Sequence, residues 1–175
     1  RNLRTFETTL ATSEALAPFR SPMPPRPEGD PAPLPYLFDP ADQQSGGLGI
    51  ELEVALQTAR MRGAGAVPHV LSRGEAAAAM YWSAAQIVTH HASNGCNLQP
   101  GDLIGTGTLS TAEETGLGSL LEISQGGKRP IELPGGEART FLEDGDELIL
   151  SARCHAAGAV TIGFGTCTGR VLPAT

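Results

Sequence analysis

Glu122 stands in the run Ser119-Leu-Leu-Glu-Ile-Ser124, between Leu121 and Ile123. A carboxylate among apolar neighbours loses hydration, which raises its pKa and suits it to orient an imidazole or exchange a proton with one. Strand alternation offers a plainer account, in which the side chain lies on a wetted face. Gly105-Thr-Gly-Thr108 sets two glycines beside threonine hydroxyls. Backbone and hydroxyl can there approach a small anionic ligand closely, although a glycine-rich strand or bulge uses the same residues. Three other groups raise the question of a metal. Glu51-Leu-Glu53 puts two carboxylates on one strand face, as some oxygen-ligand sites do, but has no third acid nearby in sequence. His90 and His91 are adjacent on an expected helix, about 100° apart around its axis, so packing at the helix end is their expected role. The acidic turn Glu143-Asp-Gly-Asp-Glu147 lacks the length and spacing of an EF-hand loop. No nucleophile elbow, phosphate loop or dinucleotide fingerprint is present.

The elements that must position these groups show in the periodicity. Ile50, Leu52, Val54 and Leu56 alternate with Glu51, Glu53 and Ala55, which predicts a half-buried strand. A second short run, Val67 to Leu71, leads into Ser72-Arg-Gly-Glu75, the spacing of a capping box. One long helix is expected to follow over residues 73–95, with apolar groups at three-to-four spacing and Asn94-Gly95 closing it. Short β-type runs are expected at 103–110, 119–124, 131–133, 139–142, 147–152 and 160–171. Asp144-Gly145 reads as a hairpin tip. One helix among many short strands predicts a mainly β (α+β) domain of rolled or sandwiched mixed sheets. Nine of the fourteen prolines crowd into residues 18–40, which predicts an extended strap over the surface.

Composition narrows the function classes. With 40% hydrophobic and 18% charged residues the chain is too apolar for intrinsic disorder. A net charge of −7, and one lysine, Lys128, against eleven arginines, argue against a nucleic-acid surface. Apolar stretches fall short of the roughly 20 residues that span a bilayer. The cysteines, Cys96, Cys154 and Cys167, are odd in number and without CxxC spacing, as expected of reduced thiols in a cytoplasm. No secretion leader is expected, and a start at Arg1 suggests the C-terminal part of a longer protein.

Several segments are more specific. Glu14-Ala-Leu-Ala-Pro-Phe-Arg20, Leu34-Pro-Tyr-Leu37 and the long run from Met80 to Ser110 (MYWSAAQIVTHHASNGCNLQPGDLIGTGTLS) occur in that order. Gly118-Ser-Leu-Leu-Glu-Ile-Ser124, Phe141-Leu-Glu-Asp-Gly-Asp-Glu147 and Ile162-Gly-Phe-Gly-Thr-Cys-Thr-Gly-Arg-Val-Leu-Pro173 follow. Together they resemble the C-terminal part of the fumarylacetoacetase family. The resemblance implies a hydrolase that splits a carbon–carbon bond of the β-diketone 4-fumarylacetoacetate, using a divalent cation (calcium or magnesium), in a cytoplasmic homodimer. It implies that Glu122 is the acid that orients the water-activating histidine and that Thr108 binds the substrate carboxylate. Within Arg4-Thr-Phe-Glu-Thr-Thr9, it implies a second-site metal role for Thr8, although Arg4 and Glu7 depart from the family's pattern. The N-terminal domain, the histidine and the main cation ligands of such an enzyme are expected outside residues 1–175, so this span alone is expected to be inactive. Two alternatives stay open: another metal-dependent hydrolase, hydratase or decarboxylase of the superfamily, and a catalytically empty association domain.

Overall fold

The computed structural model describes residues 11–174. α1 (Ser13–Leu16) starts at Thr12, whose hydroxyl accepts from the Ala15 amide, and runs into a 3-10 turn at Ala17–Phe19. β1 (Arg20–Ser21) pairs antiparallel with β2 (Gly47–Leu48), which follows α2 (Pro40–Ser45). Asp39 caps α2 by accepting from the Ala41 and Asp42 amides, and Pro40 takes the first helical position, where no amide hydrogen is needed. Between β1 and α2 the chain has no strand or α-helix, only a 3-10 turn at Pro35–Leu37.

The body of the fold is a four-stranded antiparallel sheet. β3 (Ile50–Gln57) is followed by α3 (Ala59–Gly63) and β4 (His69–Glu75), then by α4 (Ala76–Ala79) and α5 (Ala84–Ala92). After α6 (Leu120–Ile123) and the ribbon of β5 (Ile131–Leu133) with β6 (Glu137–Arg139) come β7 (Glu147–Cys154) and β8 (Ile162–Arg170). The order is β4-β3-β7-β8. Leu52 faces Gly74 on one side and Ala152 on the other, Val54 faces Ser72 and Leu150, and Leu150 in turn faces Cys167. These residues share one face, as period two requires. A register shift between Val54 and Ala55 marks a bulge against β4. Just beyond it Ala55 and Leu56 are both buried, so that end of β3 is covered on both faces.

The architecture is mixed α+β, and the long helix expected over 73–95 is not formed. Ser72, Arg73, Gly74 and Glu75 instead complete β4, each paired to β3, because a ladder along a half-buried strand outweighs a local capping pattern. α4 is a single turn that stops at Met80, where the backbone is extended (φ −89°, ψ 119°). The helix restarts at a second serine. Ser83 accepts from the Gln86 amide while the Gln86 side chain accepts from the Ser83 amide, a complete capping box. Ser83 also donates to Asp42 at 2.6 Å and Gln86 to the Leu37 carbonyl at 2.8 Å, which fixes α5 against the strap. Gly95, at φ 88°, lies just past the helix end.

Three expected strands differ as well. Residues 103–110 are irregular, since no neighbouring strand pairs with them. The run at 119–124 is the helical turn α6, begun by Ser119, which accepts from the Glu122 amide. Residues 139–142 contribute only Arg139, the last residue of β6, to a strand. Asp144-Gly145 forms a turn, not a hairpin tip, because the strand that follows it, β7, pairs with β3 and β8. The tight hairpin is β5–β6, closed by Pro134-Gly-Gly136.

Candidate functional site

The segment from Thr106 to Glu122 folds back on itself beside β4. The Thr111 amide donates to the Gly116 carbonyl at 3.0 Å, and the Gly118 amide to Ser110 Oγ at 3.0 Å. Gly118 lies so close to the first limb that a Cβ there would meet the Leu109 carbonyl oxygen and sit 2.7 Å from Thr108 Cγ2. Only glycine fits at this crossing. Gly107 takes φ 76°, which turns the limb just before Thr108. Thr108 itself is exposed.

Glu122 lies on the second limb, and its carboxylate is held at both oxygens. Ser110 Oγ donates to Oε1 at 2.8 Å and Ser119 Oγ donates to Oε2 at 2.6 Å. The side chain is exposed. The hydroxyl of Ser119, then that of Ser110, hold its pKa below the usual carboxylate range, and both effects outweigh desolvation. The expectation of a raised pKa in apolar surroundings is therefore overturned. Leu121 and Ile123 form no apolar shell around the carboxylate of this helical turn; Leu121 itself is 61% exposed. An anionic carboxylate with a free lone pair on each oxygen can accept a further hydrogen bond and stabilise a nearby imidazolium. It is not poised as a proton donor at neutral pH.

Two hollows adjoin this hairpin of loops. One, of about 570 Å³, separates the Leu52, Val54 and Leu150 face of the sheet from Leu109, and Thr106 and Gly107 also line it. The other, of about 370 Å³, is bordered by Glu122, Glu114, Arg129 and Ile131. Glu122 and Thr108 thus stand on adjoining limbs, joined through Ser110 and Gly118; Glu122 borders the smaller hollow, and Thr108 lies between Gly107 and Leu109, which line the larger. Ser110 and Ser119 were not singled out by sequence reasoning. Ser119-x-x-Glu122 does carry the spacing of a cap with an acid three residues on, a signal that was present.

The other candidate groups are occupied by their own neighbours. Glu53 is bound by Arg73, and Glu51 pairs with Arg153 at 2.6 Å. The two carboxylates on that strand face are neutralised by arginine. His90 Nδ1 meets the Tyr36 hydroxyl at 2.9 Å, and His91 Nε2 meets Cys96 Sγ at 3.4 Å. In the acidic turn, Asp146 is buried and receives Arg139 Nε at 2.9 Å and Nη2 at 3.1 Å. Among the described residues no three His, Cys, Asp or Glu side chains gather where they could hold a metal ion. The residues described do not fit a divalent cation, and Thr8 lies outside them. Among the described residues no helix is long and apolar enough to cross a membrane.

The strap closes a third hollow, also of about 570 Å³, against α5. Arg26 lies over the rings of Tyr81 (4.7 Å) and Trp82 (4.2 Å) and donates to the Tyr81 hydroxyl, which donates to Asp30 at 2.6 Å. The bond to Asp30 raises the Tyr81 pKa. These contacts pin the proline-rich segment to the Tyr81-Trp82 bend between α4 and α5 by cation–π contact and charge.

Comparison with known proteins gives this geometry its relatives. The chain is 42% identical over 175 residues to a fumarylacetoacetase of Bos taurus, covering 98% of this chain and 39% of that protein. It is 41% identical over 175 residues to a fumarylacetoacetase of Homo sapiens, at the same coverage. A fumarylacetoacetase of Arabidopsis thaliana is 40% identical over 174 residues, covering 97% of this chain and 38% of that protein. The chain therefore spans about two fifths of the length of the curated relatives it matches. Residues 35–172, which include both limbs of the Thr108–Glu122 hairpin and all four strands of the main sheet, match the family described as fumarylacetoacetate (FAA) hydrolase C-terminal. The chain belongs to the fumarylacetoacetate hydrolase family, in the C-terminal part of its members.

Proposed function

We propose that this chain is the C-terminal part of a hydrolase that splits the carbon–carbon bond of 4-fumarylacetoacetate, giving fumarate and acetoacetate. The observation that carries the reading is identity at about two positions in five with fumarylacetoacetases across nearly the whole chain. The held carboxylate of Glu122 agrees with it. In the reaction an imidazole outside these residues takes a proton from water, and the oxygen adds to the substrate carbonyl. The bond to the acetoacetate carbon then breaks, its electron pair leaves on that carbon, and the carbon is protonated. Glu122 accepts the hydrogen bond of the imidazole N–H. It fixes the tautomer and favours the imidazolium that forms, which is the role of the acid in a histidine dyad. Thr108 donates its hydroxyl to a carboxylate oxygen of the substrate, a charge-assisted bond that places the diketone.

A divalent cation, calcium or magnesium, would polarise the diketone oxygens in this reading. The described residues assemble no ligand set for it; Thr8 is the one residue of this chain proposed toward it. A rolled sheet, a cytoplasmic location and a homodimer complete the proposal.

The test is hydrolysis of 4-fumarylacetoacetate by the full-length protein, followed by loss of the diketone absorbance. Glu122→Gln keeps the shape and removes the charge; kcat should fall about 100-fold or more, in the range of acid–base catalysis. Thr108→Val should raise KM more than it lowers kcat. Turnover undiminished in Glu122→Gln would remove Glu122 from the mechanism. Absence of turnover in the unmodified full-length protein would sink the activity itself.

A further inference from the structure

We propose that Ser110 and Ser119 are positioning residues for the reaction, a two-sided hydroxyl clamp that sets the direction in which the Glu122 carboxylate offers its remaining lone pairs. The inference rests on the reading of Glu122 as the acid that orients an imidazole, and it adds residues that the comparisons do not assign.

The geometry is specific. Each oxygen of the carboxylate takes one hydroxyl, Oε1 from Ser110 at 2.8 Å and Oε2 from Ser119 at 2.6 Å. The two serines stand on different limbs of the loop hairpin, so the plane of the carboxylate is fixed from both sides at once. Neither hydroxyl is free to drift. Ser110 Oγ also accepts from the Gly118 amide at 3.0 Å, and Ser119 Oγ accepts from the Glu122 amide at 3.3 Å. Each serine hydroxyl therefore has its proton committed to the carboxylate, because its acceptor side is held by a backbone N–H. An exposed glutamate without such partners samples several rotamers, and a base oriented by it would lose its alignment. Arg129 and Glu114, which border the same hollow as Glu122, pair with each other at 3.1 Å.

The clamp also joins the two halves of the site. Ser110 lies two residues after Thr108, and Gly118, which binds Ser110, packs against Thr108 Cγ2. The approach of Gly118 to Thr108 is steric and does not depend on the Ser110 hydroxyl, so removing either serine hydroxyl acts on the acid, and removing that of Ser119 also on the start of α6.

A double-mutant cycle in the full-length protein tests the clamp. Ser110→Ala/Ser119→Ala should lower kcat about 10-fold or more, as loss of an orienting partner does elsewhere, and leave KM within about two-fold. The threonine variants, which keep the hydroxyl, should restore most of kcat. In a Glu122→Gln background the same alanines should change kcat by less than about two-fold, because groups that act only through Glu122 have nothing left to position. Equal losses in both backgrounds, or an unchanged kcat with Glu122 intact, would overturn the clamp while the role of Glu122 stands. Wild-type kcat in Glu122→Gln alone would instead remove the reading beneath it. If Ser119→Ala impairs folding through its cap, Ser110→Ala, which caps no helix, decides the matter by the same cycle.

Discussion

The buried ion pair in the acidic turn offers the sharpest test of how this fold is held. Asp146 has a side chain only 1% exposed and that of Arg139 is 10% exposed. The carboxylate accepts Arg139 Nε at 2.9 Å, Arg139 Nη2 at 3.1 Å and the Glu143 amide at 2.9 Å. The bond to Asp146 is the main reason the Arg139 guanidinium is held above its ordinary pKa. Backbone bonds extend the lock: Gly145 donates to the Val171 carbonyl and Val171 to the Asp146 carbonyl, at 2.9 and 2.8 Å. The turn therefore ties β6 to the chain leaving β8.

Asp146→Ala leaves a guanidinium desolvated and a backbone amide unpaired. Removing one partner of a buried pair costs about 3–5 kcal/mol. Glu143 and Glu137 remain 3.4 and 3.6 Å from Arg139 and soften the loss of charge, whereas the orphaned Glu143 amide adds about 1 kcal/mol. The expected cost is about 3–4 kcal/mol, read as a fall in the urea midpoint of the full-length protein at constant m. Asp146→Ala/Arg139→Met removes both charges and fills the space with an apolar chain. It should be more stable than Asp146→Ala alone by about 2 kcal/mol, since desolvation of the arginine no longer opposes folding. A cost below about 1 kcal/mol for the single change, or strict additivity in the double, would refute the account of a buried, mutually dependent pair.

Two further outcomes follow from the packing and hydrogen bonding of the fold. Burial, and secondarily the charge of Glu75, push the Cys154 thiol up, and its side chain is fully covered. Cys96 is exposed. At pH 8, iodoacetamide with peptide mass analysis should label Cys96 at least ~10-fold faster than Cys154, and equal rates would contradict the packing of β7. Glu122 should titrate below the usual carboxylate range, and Ser119→Ala should move it upward, as read from its side-chain carboxyl carbon by NMR. The sign for stability follows. A folded-state pKa below the unfolded one contributes stability above the unfolded value, and that contribution fades as pH falls through the folded one. A Glu122 titration unmoved by Ser119→Ala would show that the hydroxyl bond does not set its acidity.

Much of the main sheet was legible because its strands carry their own instructions. Alternation in Ile50–Leu56 was enough to place β3, and the Gly, Pro and Asp punctuation was enough for β5, β7 and β8. The helix was misjudged where local and non-local preferences compete. A serine followed three residues later by Glu or Gln occurs at Ser72, Ser83, Ser110 and Ser119. Ser72 is in a strand, Ser83 builds a full capping box, Ser110 begins no helix, and Ser119 caps a single turn. The spacing is the same in all four, and what separates them is the partner each segment finds. Ser72 lies opposite Val54 of β3, a contact between residues 18 apart in the chain that no local window contains.

The same competition explains why the environment of Glu122 was read in the wrong direction. Had the segment packed into an apolar layer, desolvation would govern the pKa of the carboxylate. In a helical turn begun by Ser119, the side chain three residues on returns to the capping hydroxyl. The second hydroxyl, from Ser110, arrives only because Gly118 permits two limbs to cross within contact of each other. A glycine seen alone in sequence carries no indication of which segment it lets through. Gly118→Ala would therefore act on the site although no polar atom is lost. The added methyl meets the Leu109 carbonyl and Thr108, the limbs part, and Ser110 is drawn away from a carboxylate that only Ser119 then holds.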